Sequence, residues 1–183
     1  MMQVTETPLS GALILEPRLY GDDRGFFYES WNERVFWQVT GLECHFVQDN
    51  HSRSEKGVLR GLHYQLKQPQ GKLVRVINGQ VLDVVVDLRR SSATFGQHFT
   101  VELSAQNHKQ FWVPTGFAHG FIVLSEYADF LYKTTDYYMP EDECCISWND
   151  PVLGIDWQLG DIVPKLSDKD RQGIAFDKAP VYP

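Results

Sequence analysis

Cysteine is scarce in this chain of 183 residues: Cys44, Cys144 and Cys145 are the only three. The number is odd, two are adjacent and no Cys-x-x-Cys occurs, which fits neither a disulfide scaffold nor a zinc knuckle. Reduced thiols in a cytoplasmic protein are the plain reading. No apolar run approaches the ~18 residues of a membrane helix, so no membrane partner is expected. The opening MMQVTETPLS has neither the basic start nor the apolar centre of a secretory signal. Acidic residues outnumber basic ones. The net charge of −7 disfavours a general nucleic-acid binder, which must neutralise phosphates over a broad surface. A small anionic ligand stays open, because it needs only a few local cations. Repeats, low-complexity tracts and linkers are missing too, so the chain reads as a single domain over residues 1–183.

What is present is a packed, β-rich pattern. Hydrophobic residues make up 43% and aromatics 13%, which suits a sizeable core and argues against disorder. One helix is announced by SWNERVFWQVTG, with Ser30 as N-cap, Glu33 as its capping-box partner and Gly41 as the stop. Beyond it come short β-type runs separated by turns: HFVQDNHS, VLRGLHYQL, KLVRVI, VLDVVVDL, HFTVELS, QFWVP, GFIVLS and DFLYKTTDYY. The Asn78-Gly79 pair predicts a type I′ hairpin joining KLVRVI to VLDVVVDL. So many closely spaced strands predict an all-β antiparallel sandwich or barrel, and a small barrel open at one end is a natural ligand site. VLDVVVDL alternates only in part, which turns Asp83 either away from its apolar neighbours or into the barrel. A short helix is expected to open at LSDKDRQG.

Metal ligands are thin. A barrel of this kind often holds a metal on His-x-His followed by Glu, with one more His on a later strand. LHYQLKQPQ instead has Tyr64 and Gln65 after His63, and no Glu follows. His119 in PTGFAHGF could match the later histidine, but two isolated imidazoles without carboxylates make a poor site, so no metal is expected. Burying a charge is costly unless it is paired or neutralised. Arg60, His63, Lys72, Asp83, His119, Tyr132 and Lys133 all sit in or beside strand-like segments. Each alone is read as an edge-exposed or paired side chain. Gathered inside a barrel, they would instead form a site. Asp170 has a structural reading of its own, as the acidic residue of a helix capped by Ser167. Gln48 to Asn50 could be a polar turn, Tyr137 and Tyr138 rim aromatics, and Asn149 to Pro151 turn chemistry.

Taken in order, GDDRGFFYES, FVQDNHS, VLRGLHYQ, QGKLVRV, VLDVVVDLRRSSATFGQ, VPTGFAHGF, LSEYADFLYKTTDYY, WNDP and LSDKD resemble the dTDP-4-dehydrorhamnose 3,5-epimerase family across nearly the whole chain. The resemblance implies a cupin-type jelly-roll β-barrel with a short N-terminal helix and short C-terminal helices. It implies a homodimer without metal or other cofactor. The implied substrate is dTDP-4-dehydro-6-deoxy-D-glucose, inverted at C3 and C5 to dTDP-4-dehydro-L-rhamnose. It assigns His63 as general base, Asp170 as the carboxylate that orients it, and Tyr132 as the acid on the other sugar face. Lys72 would stabilise the enolate, with Arg60 near the sugar and diphosphate. Arg24, Glu29, Gln48, Asp49, Asn50, His119, Glu143 and Lys169 match nucleotide-sugar contacts. Tyr138 matches the aromatic that stacks on thymine, with Tyr137 beside it as the alternative.

The chemistry of these residue types agrees with those roles. Both stereocentres flank a ketone, so each C–H becomes acidic only if the enolate oxygen is stabilised, and a nearby cation in a water-poor barrel does that. A neutral imidazole is available as base, and a carboxylate on its other nitrogen fixes the tautomer. Inversion needs a proton donor on the opposite face, and a phenol can serve. The alternatives are an epimerase acting at one centre, a ketoisomerase on the same scaffold, a non-catalytic sugar-binding cupin, and a metal-dependent cupin oxygenase.

Overall fold

The computed structural model describes residues 2–183. In chain order the strands are β1 (Gln3–Glu6), β2 (Leu13–Glu16), β3 (Tyr20–Asp22), β4 (Gly25–Phe27), β5 (Gln48–Glu55), β6 (Leu59–Gln65) and β7 (Lys72–Asn78). They continue with β8 (Gln80–Asp87), β9 (His98–Ser104), β10 (Gln110–Val113), β11 (Phe117–Val123), β12 (Tyr127–Thr134) and β13 (Glu143–Cys145). Two short α-helices, α1 (Glu33–Thr40) and α2 (Asp168–Arg171), and two single 3₁₀ turns at Pro140–Asp142 and Phe176–Lys178 complete the regular structure of the described residues. The strands form a six-stranded sheet, β1-β2-β10-β7-β12-β5, facing a five-stranded sheet, β13-β6-β11-β8-β9. Every pairing within them is antiparallel. The all-β jelly roll with short helices is the expected fold. Among the described residues no helix is long and apolar enough to cross a membrane.

The partial alternation of VLDVVVDL has a direct cause: the five-stranded sheet is covered on both faces. Val81 and Val85 point inward, into a core with Phe111, Phe121 and Phe130. Leu82, Val84 and Val86 point outward, against Ile146, Leu153 and Trp157 of the irregular C-terminal segment. A strand buried on both sides needs apolar residues at nearly every position. The outer face of the six-stranded sheet is closed by α1, whose Phe36 packs with Leu15, Leu73 and Trp112.

Three expectations need correction. Asn78-Gly79 does not close a hairpin, because β7 and β8 belong to different sheets. Gly79 does adopt the positive φ the dipeptide favours, 76°, but uses it to carry the chain around a corner. A Cβ there would sit 1.9 Å from the Tyr127 carbonyl oxygen. Asn78 turns instead to β12, donating from Nδ2 to Asp129 Oδ2 at 3.2 Å. Secondly, α1 is capped by Asn32, not Ser30: Asn32 Oδ1 accepts from the Val35 amide at 3.1 Å. Glu33 faces His45 Nδ1 at 2.9 Å and makes no capping box, whereas Gly41 ends the helix in the left-handed region as expected. Thirdly, Gln48 to Asn50 is no turn but the start of β5. The strands β1 to β4 add to the expected pattern; at three or four residues each they are too short to carry a periodic signal.

Gly79→Ala should therefore lower stability by about 3 kcal/mol or more, since the added methyl meets backbone in a left-handed conformation. Urea denaturation measures this, and a loss below about 1 kcal/mol would contradict the corner geometry.

Candidate active site

Strand pleating decides which side chains enter the space between the sheets. From β5, Gln48, Asn50 and Ser52 line a cavity of about 260 Å³. Lys72 at the start of β7 and Phe130 and Tyr132 on β12 line the same wall, and Tyr132 lies opposite Asn50 in register. The other wall is β6 and β11, which supply Arg60, His63, His119 and Phe121. Phe121 and Phe130 stack across the gap with ring centroids 4.2 Å apart.

Arg60 and His63 lie three residues apart, so simple alternation would send them to opposite faces. A register shift lets them share one. His119 on β11 pairs with His63, while Phe121, only two residues later, pairs with Arg60. The extra residue on β6 is a bulge, a device that re-aims side chains. It depends on glycine on both strands. A Cβ on Gly61 would lie 2.6 Å from Gly120 Cα, and a Cβ on Gly120 would lie 2.6 Å from the Arg60 carbonyl oxygen.

Asp170 reaches His63 from the first turn of α2. The Ser167 hydroxyl caps that helix, accepting from the Asp170 amide at 3.2 Å and donating to Asp170 Oδ2 at 2.6 Å. The Gly61 amide donates to Asp170 Oδ1 at 3.1 Å. The same oxygen lies 2.7 Å from His63 Nε2. That contact is close but off the ring N–H direction, so Nε2 has no aligned hydrogen-bond partner. Capping and contact with His63 are thus compatible uses of one carboxylate. Burial opposes its ionisation, yet the His63 ring, Ser167 and the Gly61 amide together hold it well below the usual carboxylate range. Burial pushes the imidazole below its ordinary pKa, and Asp170 only partly restores it. With Nε2 at Asp170, Nδ1 is the ring nitrogen left for the cavity, where Glu143 Oε1 lies 4.0 Å away.

The remaining groups are tuned by the same burial. Lys72 is brought down to about 8 by desolvation, with Glu143 and Asp83 pulling the other way. Desolvation pushes the Tyr132 phenol up, so it keeps its proton. Asp83 turns into the barrel, the second of the two orientations open to it, and lies 2.9 Å from His119 Nε2. Burial raises its carboxyl and the His119 ring opposes this. Arg60 donates through Nε and Nη2 to Ser54 Oγ at 3.2 and 3.1 Å. At the mouth Glu143 gathers two groups, accepting from Lys169 Nζ at 2.8 Å and from the Tyr138 hydroxyl at 2.8 Å. Tyr138, not Tyr137, lines the cavity.

Three residues named from the sequence lie elsewhere. Asp49 falls on the outer face of β5 by alternation, where its carboxylate accepts from Lys133 Nζ at 2.7 Å. Arg24 projects from the β3–β4 turn, bonded to Asp22 and largely exposed. Glu29 accepts from Asn32 Nδ2 at 3.1 Å, outside the cavity. Conversely Ser52, Phe121 and Phe130 line the cavity without having been singled out. Ser52 was legible from the alternation of HFVQDNHS once its register was known. Beside His63 on the same sheet face sits Cys145, its register partner on β13, whose thiol burial pushes up to about 12.

Comparison with known proteins agrees with this architecture. The dTDP-4-dehydrorhamnose 3,5-epimerase family model matches residues 6–178. The chain is 60% identical to the dTDP-4-dehydrorhamnose 3,5-epimerase of Pseudomonas aeruginosa over 182 residues, covering 100% of both. The crystal structure of dTDP-6-deoxy-D-glucose-3,5-epimerase from Legionella pneumophila, in complex with dTDP-4-keto-L-rhamnose, superposes with a TM-score of 0.95 at 53% identity, covering 98% of this chain and 95% of that one. The enzyme from Bacillus anthracis, solved with TDP and pyrophosphate bound, gives a TM-score of 0.92 at 47% identity, covering 96% and 100%. A cavity walled by an imidazole–carboxylate pair, a buried lysine and a phenol, on a fold shared end to end with these enzymes, places the chain in the dTDP-4-dehydrorhamnose 3,5-epimerase family.

Proposed function

We propose that the chain binds dTDP-4-dehydro-6-deoxy-D-glucose and inverts C3 and C5 to give dTDP-4-dehydro-L-rhamnose, as an isomerase needing neither metal nor redox cofactor. One observation carries the reading: His63 on the five-stranded sheet faces Tyr132 and Lys72 on the six-stranded sheet across a single cavity. The base and the acid therefore address opposite faces of a sugar ring lying between them. The C4 ketone already in the substrate is the electron sink, so each step is a proton removal followed by a proton return.

His63 Nδ1 takes the hydrogen from C5 or C3, and the negative charge passes to the C4 oxygen. Lys72 offsets that charge, and the low-dielectric walls strengthen its effect. Asp170 stabilises the imidazolium as it forms. Tyr132 delivers a proton from the other side, which completes the inversion. Arg60 and Lys169 attract the diphosphate, with Lys169 exchanging Glu143 for phosphate when the substrate enters. Tyr138 offers its ring to thymine, a contact worth roughly 1–3 kcal/mol. Gln48, Asn50 and His119 supply polar contacts to the sugar nucleotide.

The working unit is proposed to be a homodimer. The β3–β4 ribbon joins neither sheet and leaves Tyr20, Phe26 and Phe27 exposed, a liability for an isolated hairpin. Arg24 and Glu29, which stay out of this chain's own cavity, would then contribute to the neighbour's. Residues 1–183 act as one domain in this reading, supported by strands of both sheets drawn from most of the chain. Three free thiols support a reducing, cytoplasmic setting.

In D₂O with the 4-keto sugar nucleotide, His63→Ala should lose solvent exchange at both carbons while remaining folded. Tyr132→Phe should impair inversion more than proton loss. NMR follows both, and unchanged exchange in His63→Ala would remove the base assignment. The NMR spectrum of the product also distinguishes double inversion from inversion at one centre. The pH profile is a second check. As pH rises, His63 loses its proton and gains basicity, so kcat/KM should climb with a midpoint below the ordinary histidine value. It should fall again near about 8, where Lys72 loses its charge. Lys72→Gln should remove that alkaline limb. A third check is sedimentation: a Phe26→Asp, Phe27→Asp double variant should sediment as a monomer with raised KM, and an unaltered mass would contradict the ribbon's role.

A further inference from the structure

Cys145 is a side chain the epimerisation does not use, and its position suggests a use. It lies opposite His63 in the β13–β6 register, so the two side chains leave the same face of the sheet as immediate neighbours. A ring nitrogen of His63, Sγ of Cys145 and a carboxylate oxygen of Asp170 all lie within 4.8 Å of one another. Nε2 is the ring nitrogen on the Asp170 side, and it is buried without an aligned hydrogen-bond partner. Asp170 and Ser167 also line a second opening with Lys165 and Arg60, and Arg60 alone is shared with the substrate cavity.

One nitrogen, one sulfur and one carboxylate oxygen are a donor set for a thiophilic, four-coordinate dication, with water as fourth ligand. Small side-chain rotations would draw the three atoms to the 2.0–2.3 Å bond lengths such an ion takes. We propose that His63, Cys145 and Asp170 form an inhibitory site for Zn²⁺ behind the catalytic imidazole, reached from the Asp170 side. On binding, Sγ forms a bond to the ion and the thiol proton leaves to solvent. Coordination needs the Nε2 lone pair, so the proton resting on Nε2 leaves to solvent and the neutral ring takes one up on Nδ1 instead. Nδ1 is the atom that must accept hydrogen from the substrate. The ion therefore silences the base while leaving the cavity open: kcat falls and KM is kept.

The loss of turnover rests on His63 being the base; the binding itself does not. Two measurements separate them. With chelator-treated enzyme, micromolar Zn²⁺ should lower kcat by at least about tenfold with little change in KM, and Mg²⁺ should have no such effect. Cys145→Ser and Cys145→Ala should keep the metal-free turnover and resist Zn²⁺. Independently of activity, Co²⁺ added to the resting enzyme should give a thiolate-to-metal absorption band that both Cys145 variants and His63→Ala lack. Equal inhibition of wild type and Cys145→Ser would overturn the site, as would a Co²⁺ spectrum without the band. The band with undiminished turnover would uphold the binding site and overturn its inhibitory action through the base.

Discussion

The site depends on a carboxylate held against an imidazole, with both side chains largely buried. Burial alone would drive His63 neutral and Asp170 protonated, and the two shifts would leave a pair with no electrostatic purpose. The His63 ring itself, the Ser167 hydroxyl and the Gly61 amide prevent this by fixing Asp170 in its charged form. The imidazole, still neutral by desolvation, then faces a negative charge that rewards it for accepting a proton. A resting base with a stabilised protonated form is what carbon deprotonation beside a ketone requires.

The fold delivers that pair through two unusual features. The bulge at Gly61 places Arg60 and His63 on one face, so both line a single cavity. The C-terminal segment folds back over the outer face of the five-stranded sheet, and α2 lies along that path beside β6. The apolar residues that anchor the segment therefore also position Asp170. On the opposite wall Lys72 and Tyr132 come from neighbouring strands, β7 and β12, whose pairing fixes their spacing.

Much of this was legible in the sequence, and what was not has identifiable causes. Alternation in HFVQDNHS and DFLYKTTDYY signals strands, because the pleat is a local property. Which strands pair is not local: Asn78-Gly79 carries the right backbone for a tight turn, but partners elsewhere in the sheets decide that it becomes a corner. The bulge is invisible for the same reason, since it exists only relative to β11. Ser30 and Asn32 are equally good caps by residue type, and the choice between them follows from where the helix packs. Asp49 shows the limit of transferring contacts by motif. It stands between two cavity residues, and alternation turns it outward to Lys133. Asp170 is the reverse case, a residue whose capping signal was plain while its partner lay far away in sequence.

The central claim concerns one ring. Long-range proton–nitrogen NMR on protein labelled at histidine nitrogen reports which ring atom of His63 carries hydrogen and at what pH it becomes doubly protonated. A neutral ring at pH 7 with hydrogen on Nε2 and a bare Nδ1, titrating below the ordinary histidine value, is the predicted result. A doubly protonated ring at that pH, or hydrogen resting on Nδ1, would contradict the account.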